Sequence, residues 1–550
     1  MYMSRLKQFF KNHYWLMIAV AASFLLIILW FSSLTENELL VLFSSDALYL
    51  PSVYHDIFVN GNTVQGWVFN PAPNFLPDML IFFLLMGITS NFITATFLFS
   101  VIQYFAIIFM FFAIFKQITS IKSSVFSLSL YLFSFFLLYF LVDNCFYYSF
   151  LIASNSYHNG VFFMTLLCIF LSLKFLKKES WTTLVFIFLI TAIIYPCDRL
   201  FLVMYSAPVL FVSVILLITR ENKKKILKFG LACILGLLVG MVIFDKFMYN
   251  STFQLTKMYQ FMNWEGIVNS WNIFASQMKD CLSRVSFVSS TIILSIISYI
   301  WTCYYCISQF VTIMRKKQTI SPFFILEVFI LAFVPMVALA PILNGTYLGY
   351  DVIRYNYFIF IVLLFNLILL SNCFLEKYQY ITKGLNGVFA SILLVYLGWN
   401  IAAMDFISGF KSYFSTYTER THNVDIQFPQ SETAVYGITD NYWSGKHITM
   451  FSKKNIRLYV TFEDAVPYLH VVNRKWFTGD GNWKYANPQF TFLLWSTNLP
   501  LPDYFITQNP PYKSHDMGNG QMLHFVKPFV YDESLIFPMD KNELQSPKSK

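Results

Sequence analysis

The sequence has 550 residues, of which 57% are hydrophobic, 20% are aromatic and only 12% are charged. One water-soluble core cannot bury that much apolar surface, so the composition excludes an ordinary soluble protein and indicates a membrane protein. We therefore interpret the formal net charge of +9 as a topology signal and expect no nucleic-acid partner.

Apolar runs that could cross a bilayer follow one another along most of the chain. A transmembrane helix needs about 20 apolar residues. The first run is too long for a signal peptide and no A-x-A-like cleavage site follows it, so we expect it to be retained as a span. We predict eleven transmembrane helices, at residues 14–33, 92–115, 124–142, 160–176, 181–195, 199–219, 227–248, 287–313, 323–342, 355–372 and 384–403.

The Lys and Arg residues are distributed unevenly between the two sides of these spans. With a cytoplasmic N-terminus, eighteen of them fall on the inner side and six on the outer side before residue 404. Cationic loops resist translocation, so this asymmetry predicts an N-terminus in the cytoplasm and a multi-pass protein of a cytoplasmic-type, inner or plasma, membrane. An odd number of spans then places the C-terminal region on the extracytoplasmic side.

The first outer loop, residues 34–91, is long and contains acids but no Lys or Arg. Asp46 follows the first span by about a dozen residues, so it is tethered close to the membrane surface. A partly desolvated carboxylate there could act as a general base toward a hydroxyl. Alternatively, Ser44, Ser45 or Asp46 caps a helix over residues 47–58, which is a common use of these residue types.

The second half of this loop is rich in proline and aromatic residues. Three prolines between Trp67 and Asp78 exclude a regular helix there. The apolar stretch that follows, about 79–90, is too short to span a bilayer and is predicted to be a helix lying in the outer interface. If it spanned instead, Lys116 and Lys122 would lie outside and the charge asymmetry would be broken.

Beyond residue 404 the composition changes and no apolar run approaches 20 residues. We therefore predict a transmembrane domain over 1–403, a soluble extracytoplasmic α/β domain over 404–532 and a loosely ordered tail over 533–550. Glycine-rich turns are predicted at 479–482 and 518–520. Strands are predicted at His447–Phe451, Arg457–Phe462, Phe490–Trp495, Tyr504–Thr507 and Met522–Val526. The tryptophans Trp443, Trp476, Trp483 and Trp495 could stack on sugar rings, or form the core or docking face of the domain.

This layout resembles that of the C-superfamily (GT-C) glycosyltransferases. The resemblance rests on Asp46 early in a long first loop, on Pro71-Ala72-Pro73 and Pro77, on the apolar stretch Met79–Met86, and on Gly87 before the next span. It extends to the many spans and the C-terminal outer domain. It implies a polytopic α-helical membrane protein with about eleven transmembrane helices and a C-terminal extracytoplasmic mixed α/β domain. In three places the sequence departs from the family pattern. Ala47 follows Asp46 where many members have a second acid, the text after Asn74 has no Pro pair, and the second span starts with Ser-Asn-Phe-Ile-Thr where many members have an Arg.

The resemblance also implies an activity, the transfer of a sugar from a polyprenyl-phosphate donor to an envelope glycan, lipid or protein at the extracytoplasmic face. The membrane lipid, the donor and this acceptor are the expected partners. Whether the protein uses a divalent metal cofactor stays open, because the first loop has no paired acids.

Such chemistry needs a base near the acceptor and cations near the departing phosphate. Under this hypothesis Asp46 is the base, with Asp56 and Asp78 in reserve. Arg199 and Arg354 lie at outer loop ends beside Asp198 and Asp351, and an arginine can clamp phosphate oxygens. His158, in Tyr157-His158-Asn159-Gly160, could add a proton donor or a phosphate contact. Alternatively, each arginine snorkels or pairs with its own aspartate, and the histidine is a hydrogen-bonded loop residue.

Two other functions stay open. A transporter or flippase for a lipid-linked substrate would need polar groups at mid-membrane, and the predicted spans carry almost no charge apart from Glu327 near an inner end. A non-catalytic membrane assembly protein would use the outer domain to bind a partner.

Overall fold

The computed structural model describes residues 2–142, 154–155, 157–219, 222–248, 250, 252–255, 263–283, 287–316, 319–403, 405–415, 417–431, 433–479 and 488–531. Within these ranges, the side chains of 2–12, 135–142, 287–288, 350–351, 353, 373–374 and 376–377 are not described. The predicted tail after residue 532 and the predicted turn after Gly479 therefore lie outside the described residues.

Each of the eleven predicted spans forms an apolar helix. Among the residues whose side chains are described, seven of these helices are long and apolar enough to cross a membrane, and the apolar parts of the other four are 10–17 residues long. The polytopic α-helical fold class is thus confirmed. The eleven helices are Tyr2–Ser32, Phe92–Ile118, Ser123–Val142, Asn159–Lys177, Trp181–Cys197, Leu202–Ile218, Lys223–Met248, Phe287–Lys316, Pro322–Leu343, Tyr357–Lys377 and Gln379–Ala403.

The helices pack through one large apolar cluster with close approaches at glycines. A Cβ at Gly236 would lie 2.8 Å from the Phe188 carbonyl oxygen, and one at Gly240 would lie 3.1 Å from that of Ala192. This Gly-x-x-x-Gly pattern lets the helix Lys223–Met248 approach its neighbour closely, as small residues do between membrane helices.

A short apolar helix, Phe75–Thr89, covers the predicted interfacial stretch. Leu80, Leu84 and Ile88 are exposed along one side, whereas Phe82 and Met86 are buried. Exposed apolar residues at every fourth position form one apolar stripe along the helix. A similar helix, Trp264–Ser283, exposes Trp264 and Trp271.

Shorter helices occupy the loops and the C-terminal region. In the first loop, Thr35 and Glu38 form a reciprocal capping box, which starts a new helix directly after the first span. The short helical segments are Glu36–Leu42, Tyr49–Tyr54, His55–Val59, Tyr350–Tyr355, Phe406–Ser415, Glu419–Asp425, Tyr442–Phe451, Lys475–Thr478 and Asp503–Thr507.

The C-terminal region forms a five-stranded mixed sheet in the order β4-β3-β6-β8-β7. The strands β3 and β4 are parallel, as are β3 and β6, whereas β6–β8 and β7–β8 are antiparallel. Positive φ angles at Gly518, Asn519 and Gly520 form the predicted turn between β7 and β8. The strands are β3 (Val435–Thr439), β4 (Ile456–Val460), β6 (Phe490–Ser496), β7 (Lys513–Asp516) and β8 (Gln521–Phe529).

Two of the predicted strands are wrong. The segment His447–Phe451 belongs to the helix Tyr442–Phe451, because Asn441 accepts a hydrogen bond from the backbone N–H of Ser444 and caps that helix. The segment Tyr504–Thr507 lies in the helix Asp503–Thr507, which begins directly after Pro502. Both segments are short apolar runs, in which periodicity does not separate a strand from one buried helix face.

A second, three-stranded sheet joins three distant parts of the chain. Strand β1 (Trp67–Phe69) of the first loop pairs in parallel with β2 (Gln254–Leu255) and antiparallel with β5 (Val472–Asn473) of the C-terminal domain. The C-terminal domain is therefore hydrogen-bonded to the first loop through its backbone.

The carboxylate of Asp56 strengthens this junction. It is buried and accepts hydrogen bonds from Asn62 Nδ2 at 2.9 Å, Trp67 Nε1 at 2.8 Å, Trp476 Nε1 at 2.9 Å and Asn473 Nδ2 at 3.2 Å. Two of these donors come from the C-terminal domain. Burial raises the pKa of Asp56, and the four donors oppose that rise by favouring the charged form.

We expect Asp56→Asn to destabilise the folded protein by about 3 kcal/mol, because an amide NH2 would replace one acceptor oxygen among four buried donors. The measurement is the thermal unfolding midpoint in detergent, together with the rate at which a protease releases the C-terminal domain. Asp280→Asn, which changes an exposed acid of the helix Trp264–Ser283, is the control. Equal midpoints for the two variants would contradict the junction role.

Candidate active site

One helix of the C-terminal domain, Tyr442–Phe451, holds the part of the first loop that contains Asp46. We call it the docking helix. His447 Nδ1 lies 3.2 Å from the Phe43 carbonyl oxygen, and Lys446 Nζ donates to the Ser45 carbonyl oxygen at 3.3 Å. The Ser45 hydroxyl donates to the Tyr442 carbonyl oxygen. These contacts hold the backbone of the segment that contains Asp46.

The side chain of Asp46 lies between the docking helix and Arg354. The Tyr442 hydroxyl donates to Asp46 Oδ1, and Arg354 Nη1 lies 3.7 Å from Asp46 Oδ2. The side chain of Asp46 is 15% exposed and that of Arg354 is 21% exposed, so neither is fully buried. The structure thus brings together the proposed base and the proposed phosphate clamp, which are distant in sequence.

The helix-cap alternative for this segment is not what the structure shows. The helix that follows begins at Tyr49, its N-cap is Leu48, and no side chain caps it. The Asp46 carboxylate is used instead in tertiary contacts with Tyr442 and Arg354.

The C-terminal domain adds residues that the sequence did not single out. Lys446 is buried beside Asp46; burial lowers its pKa to about 7 while the negative charge of Asp46 opposes the shift. Burial likewise lowers the pKa of His470 to about 4 and leaves its imidazole neutral at pH 7. The rings of Tyr468 and His470 lie 5.4 and 5.8 Å from that of Tyr442. Nothing in the sequence around Lys446 indicates that this lysine is buried beside Asp46.

A second cluster, Asp78, His158 and Asp198, lies at the start of the helix Asn159–Lys177. His158 Nδ1 is 2.6 Å from Asp198 Oδ2, and Asp198 Oδ1 accepts from the backbone N–H of Leu200 at 3.0 Å. Asp78 is buried, and its carboxylate accepts a hydrogen bond from the backbone N–H of Gly160. Burial, and next the charge of Asp198, raise the pKa of Asp78 well above its usual range.

Two tyrosines connect the clusters. The ring of Tyr355 lies 5.0 Å from that of His158 and 5.3 Å from the guanidinium carbon of Arg354. The ring of Tyr157 lies 5.8 Å from the same carbon. Asp46, Asp78, His158, Asp198 and Arg354 therefore lie together at one end of the helix bundle.

The remaining predicted site residues are Arg199, Asp56 and Asp351. The Arg199 guanidinium carbon lies 4.9 Å over the ring of Phe244, on the helix Lys223–Met248. Asp56 forms the junction described above, and the side chain of Asp351 lies outside the described residues. Of the tryptophans, Trp495 is buried in the domain core, Trp476 lies in the junction and Trp443 is exposed. Trp483 is not described.

The charges around Asp46 indicate which kind of ligand the site suits. Arg354 and Lys446 place two cationic side chains beside one carboxylate, at least when Lys446 is protonated. Within the described ranges, no three His, Cys, Asp or Glu residues are grouped so that they could hold a metal ion. Two cations and a partly exposed carboxylate suit a phosphate group and a hydroxyl that loses its proton.

We expect Gly160→Ala to destabilise the fold by more than about 2 kcal/mol, because a Cβ at this position would collide with the Asp78 carboxylate. The yield of folded protein and its unfolding midpoint measure this. Gly398→Ala is the matched control, since a Cβ there meets no atom within 4 Å and alanine favours a helix. Two equally stable variants would show that Asp78 does not sit against residue 160.

The docking helix should loosen in acid. Burial lowers the pKa of His447 to about 4, with a further lowering from Arg420, against an ordinary value of 6.5. Between pH 6.5 and pH 4 this histidine therefore binds a proton in the unfolded chain but not in the folded chain. The free energy of unfolding is highest above pH 6.5 and is lower by about 2 kcal/mol at pH 4.5. His447→Gln should reduce this fall, measured as unfolding midpoints at pH 7 and 4.5. Identical falls in both proteins would contradict the assignment.

No protein family model and no curated protein matches the sequence. Among solved structures, the chain is similar to the crystal structure of ArnT from Cupriavidus metallidurans in the apo state, with a TM-score of 0.41 and 12% identity, over 93% of this chain and 97% of that chain.

Proposed function

We propose that this chain is an integral-membrane glycosyltransferase that moves a sugar from a polyprenyl-phosphate donor to an envelope glycan, lipid or protein at the extracytoplasmic face. The observation that carries the proposal is the Asp46 site: a partly exposed carboxylate 3.7 Å from Arg354, with Lys446 beside it. An acid and two cations at one end of an apolar helix bundle are the groups that this transfer needs.

In the proposed reaction an acceptor hydroxyl oxygen bonds to the anomeric carbon of the donor sugar. The bond between that carbon and the phosphate oxygen breaks, and its electron pair leaves with the polyprenyl phosphate. The hydroxyl proton passes to Asp46, the general base. The Tyr442 hydroxyl, which donates to Oδ1, orients the carboxylate and leaves Oδ2 toward Arg354.

Arg354 and Lys446 would stabilise the negative charge that develops on the departing phosphate. The guanidinium offers two parallel N–H donors to phosphate oxygens, and the ammonium adds a point charge. Approach of the phosphate would also favour the protonated form of Lys446, whose pKa of about 7 leaves it ready to gain a proton.

The second cluster is assigned to the donor side of the same site. His158 is oriented by Asp198 and its ring lies against Tyr355, next to Arg354. When protonated it would add a cation near the phosphate, and Asp78 would hold the helix start that carries it. Arg199 and Asp351 remain candidate phosphate contacts.

The location at the extracytoplasmic face rests on the charge asymmetry of the loops. The first loop, the His158 turn and the Arg354 segment were assigned to one side from that asymmetry, and the described contacts join all three. The C-terminal domain packs on the same end through the docking helix. This agreement supports an outer active site covered by the C-terminal domain.

We expect Asp46→Asn and Arg354→Ala each to lower transfer by at least about 100-fold, since they remove the base and a phosphate cation. The readout is the surface-glycan profile of cells in which the wild-type chain produces a chain-dependent band, with membrane protein levels matched. Asp280→Asn, which changes an exposed acid outside the site, should leave the band unchanged.

An unchanged band in both site variants, at equal protein level, would refute the catalytic assignment. Membrane-impermeant labelling of a cysteine placed at a site residue distinguishes the transporter alternative, because a transporter would expose that position to both sides in turn. Co-purification of a stable partner that does not depend on Asp46 would favour an assembly protein.

A further inference from the structure

A separate cavity of about 50 Å³ lies between the first loop and the C-terminal domain. The first loop lines it with Ser52, His55, Asp56 and Asn60, the docking helix with Lys446 and Thr449, and β4 with Arg457 and Tyr459. Its volume is several times that of one water-sized probe, so it has room for a small polar group. Lys446 belongs both to this cavity and to the surroundings of Asp46.

The charged groups of the cavity favour an anion. Lys446, Arg457 and His55 are the basic side chains of its wall. Asp56 is its acid, but both of its oxygens already accept two hydrogen bonds each within the junction. The carboxylate is therefore committed to the protein, and Lys446 and Arg457 bring positive charge to the cavity wall from two different elements.

The remaining wall suits a sugar. The buried amide oxygen of Asn60 has no hydrogen-bond partner within the described part of the chain, so it can accept from a ligand hydroxyl. Tyr459 and Trp476 stack at 5.6 Å with an interplanar angle of 19°, and both line the cavity. Aromatic rings offer an apolar surface against which the apolar face of a sugar ring can pack.

We propose that this cavity binds the anionic group, a phosphate or a carboxylate, of a negatively charged sugar in the acceptor. The anionic group enters between Lys446 and Arg457, a hydroxyl donates to Asn60, and the sugar ring lies toward Tyr459 and Trp476. That the sugar belongs to the acceptor rests on the proposed glycosyl transfer; the site itself does not. Lys446, shared by the two sites, places the acceptor next to Asp46.

The test uses the full-length protein purified in detergent and titration calorimetry with three probes: glucose 1-phosphate, glucuronate and neutral glucose. We expect one or both anionic probes to bind in the millimolar range or tighter and glucose to bind at least about 10-fold more weakly. Preference between the two anionic probes tells phosphate from carboxylate. Absence of binding by both anionic probes to the folded wild-type protein would overturn the proposal.

Arg457→Gln should weaken binding of the anionic probe by at least about 10-fold, and Arg457→Lys should restore part of it. Lys527→Gln, which removes an exposed cation of β8 away from the cavity, should bind as the wild type does. Should Arg457→Gln not fold, Asn60→Ala tests the hydroxyl contact in its place. Wild-type affinity in a folded variant at either position would overturn the site.

Asp46→Asn separates this proposal from the proposed function, because Asp46 does not line the cavity. We expect it to retain probe binding and to lose the glycan band. Retained binding with an unchanged band would keep the anion site and refute the transferase. Loss of the band in this variant, together with no anion binding by the wild-type protein, would refute the anion site and keep the transferase.

Discussion

The buried carboxylate of Asp56 and the short strand pairing beside it hold the C-terminal domain on the first outer loop. Four donors from both sides converge on this one side chain, and β1 pairs with β5 next to it. An acid that is this deeply buried and this fully hydrogen-bonded leaves little freedom to the two parts it joins. The position of the docking helix, and through it that of Asp46, depends on this junction.

The consequence is a site built from three separate parts of the chain. The first loop supplies Asp46, the segment Tyr350–Tyr355 supplies Arg354, and the docking helix supplies Tyr442 and Lys446. Asp46 lies in an irregular turn, so its own element alone does not position it. The docking helix also borders two polar spaces: the partly exposed surroundings of Asp46 and the cavity lined by Lys446 and Arg457. In the proposed reaction the first would hold the reacting groups and the second the acceptor anion.

In the second cluster, the contacts of His158 depend on the fold and not on its neighbours in the sequence. His158 stands in the left-handed region, at φ 65°, directly before a helix whose first turn receives the Asp78 carboxylate. Asp78 comes from the proline-rich part of the first loop, and Asp198 from another outer turn. The pairing of His158 with Asp198 could not be read from neighbouring positions in the sequence.

The sequence by itself determined that the chain is a multi-pass membrane protein, and it located the apolar helices of the described residues and the short helix after the proline-rich segment. Each of these depends on local apolar length and on composition. The sequence also singled out Asp46, Arg354, His158, Asp78 and Asp198, since polar residues beside apolar spans are few. It did not determine Lys446, Tyr442, the structural use of Asp56 or the helical state of His447–Phe451. The first three depend on contacts between residues about 400 positions apart, such as Ser45 with Lys446. The helix Tyr442–Phe451 depends on its cap at Asn441, in a short apolar run whose periodicity does not separate a helix from a strand. Only tertiary packing decides which of several ordinary polar residues is buried against which.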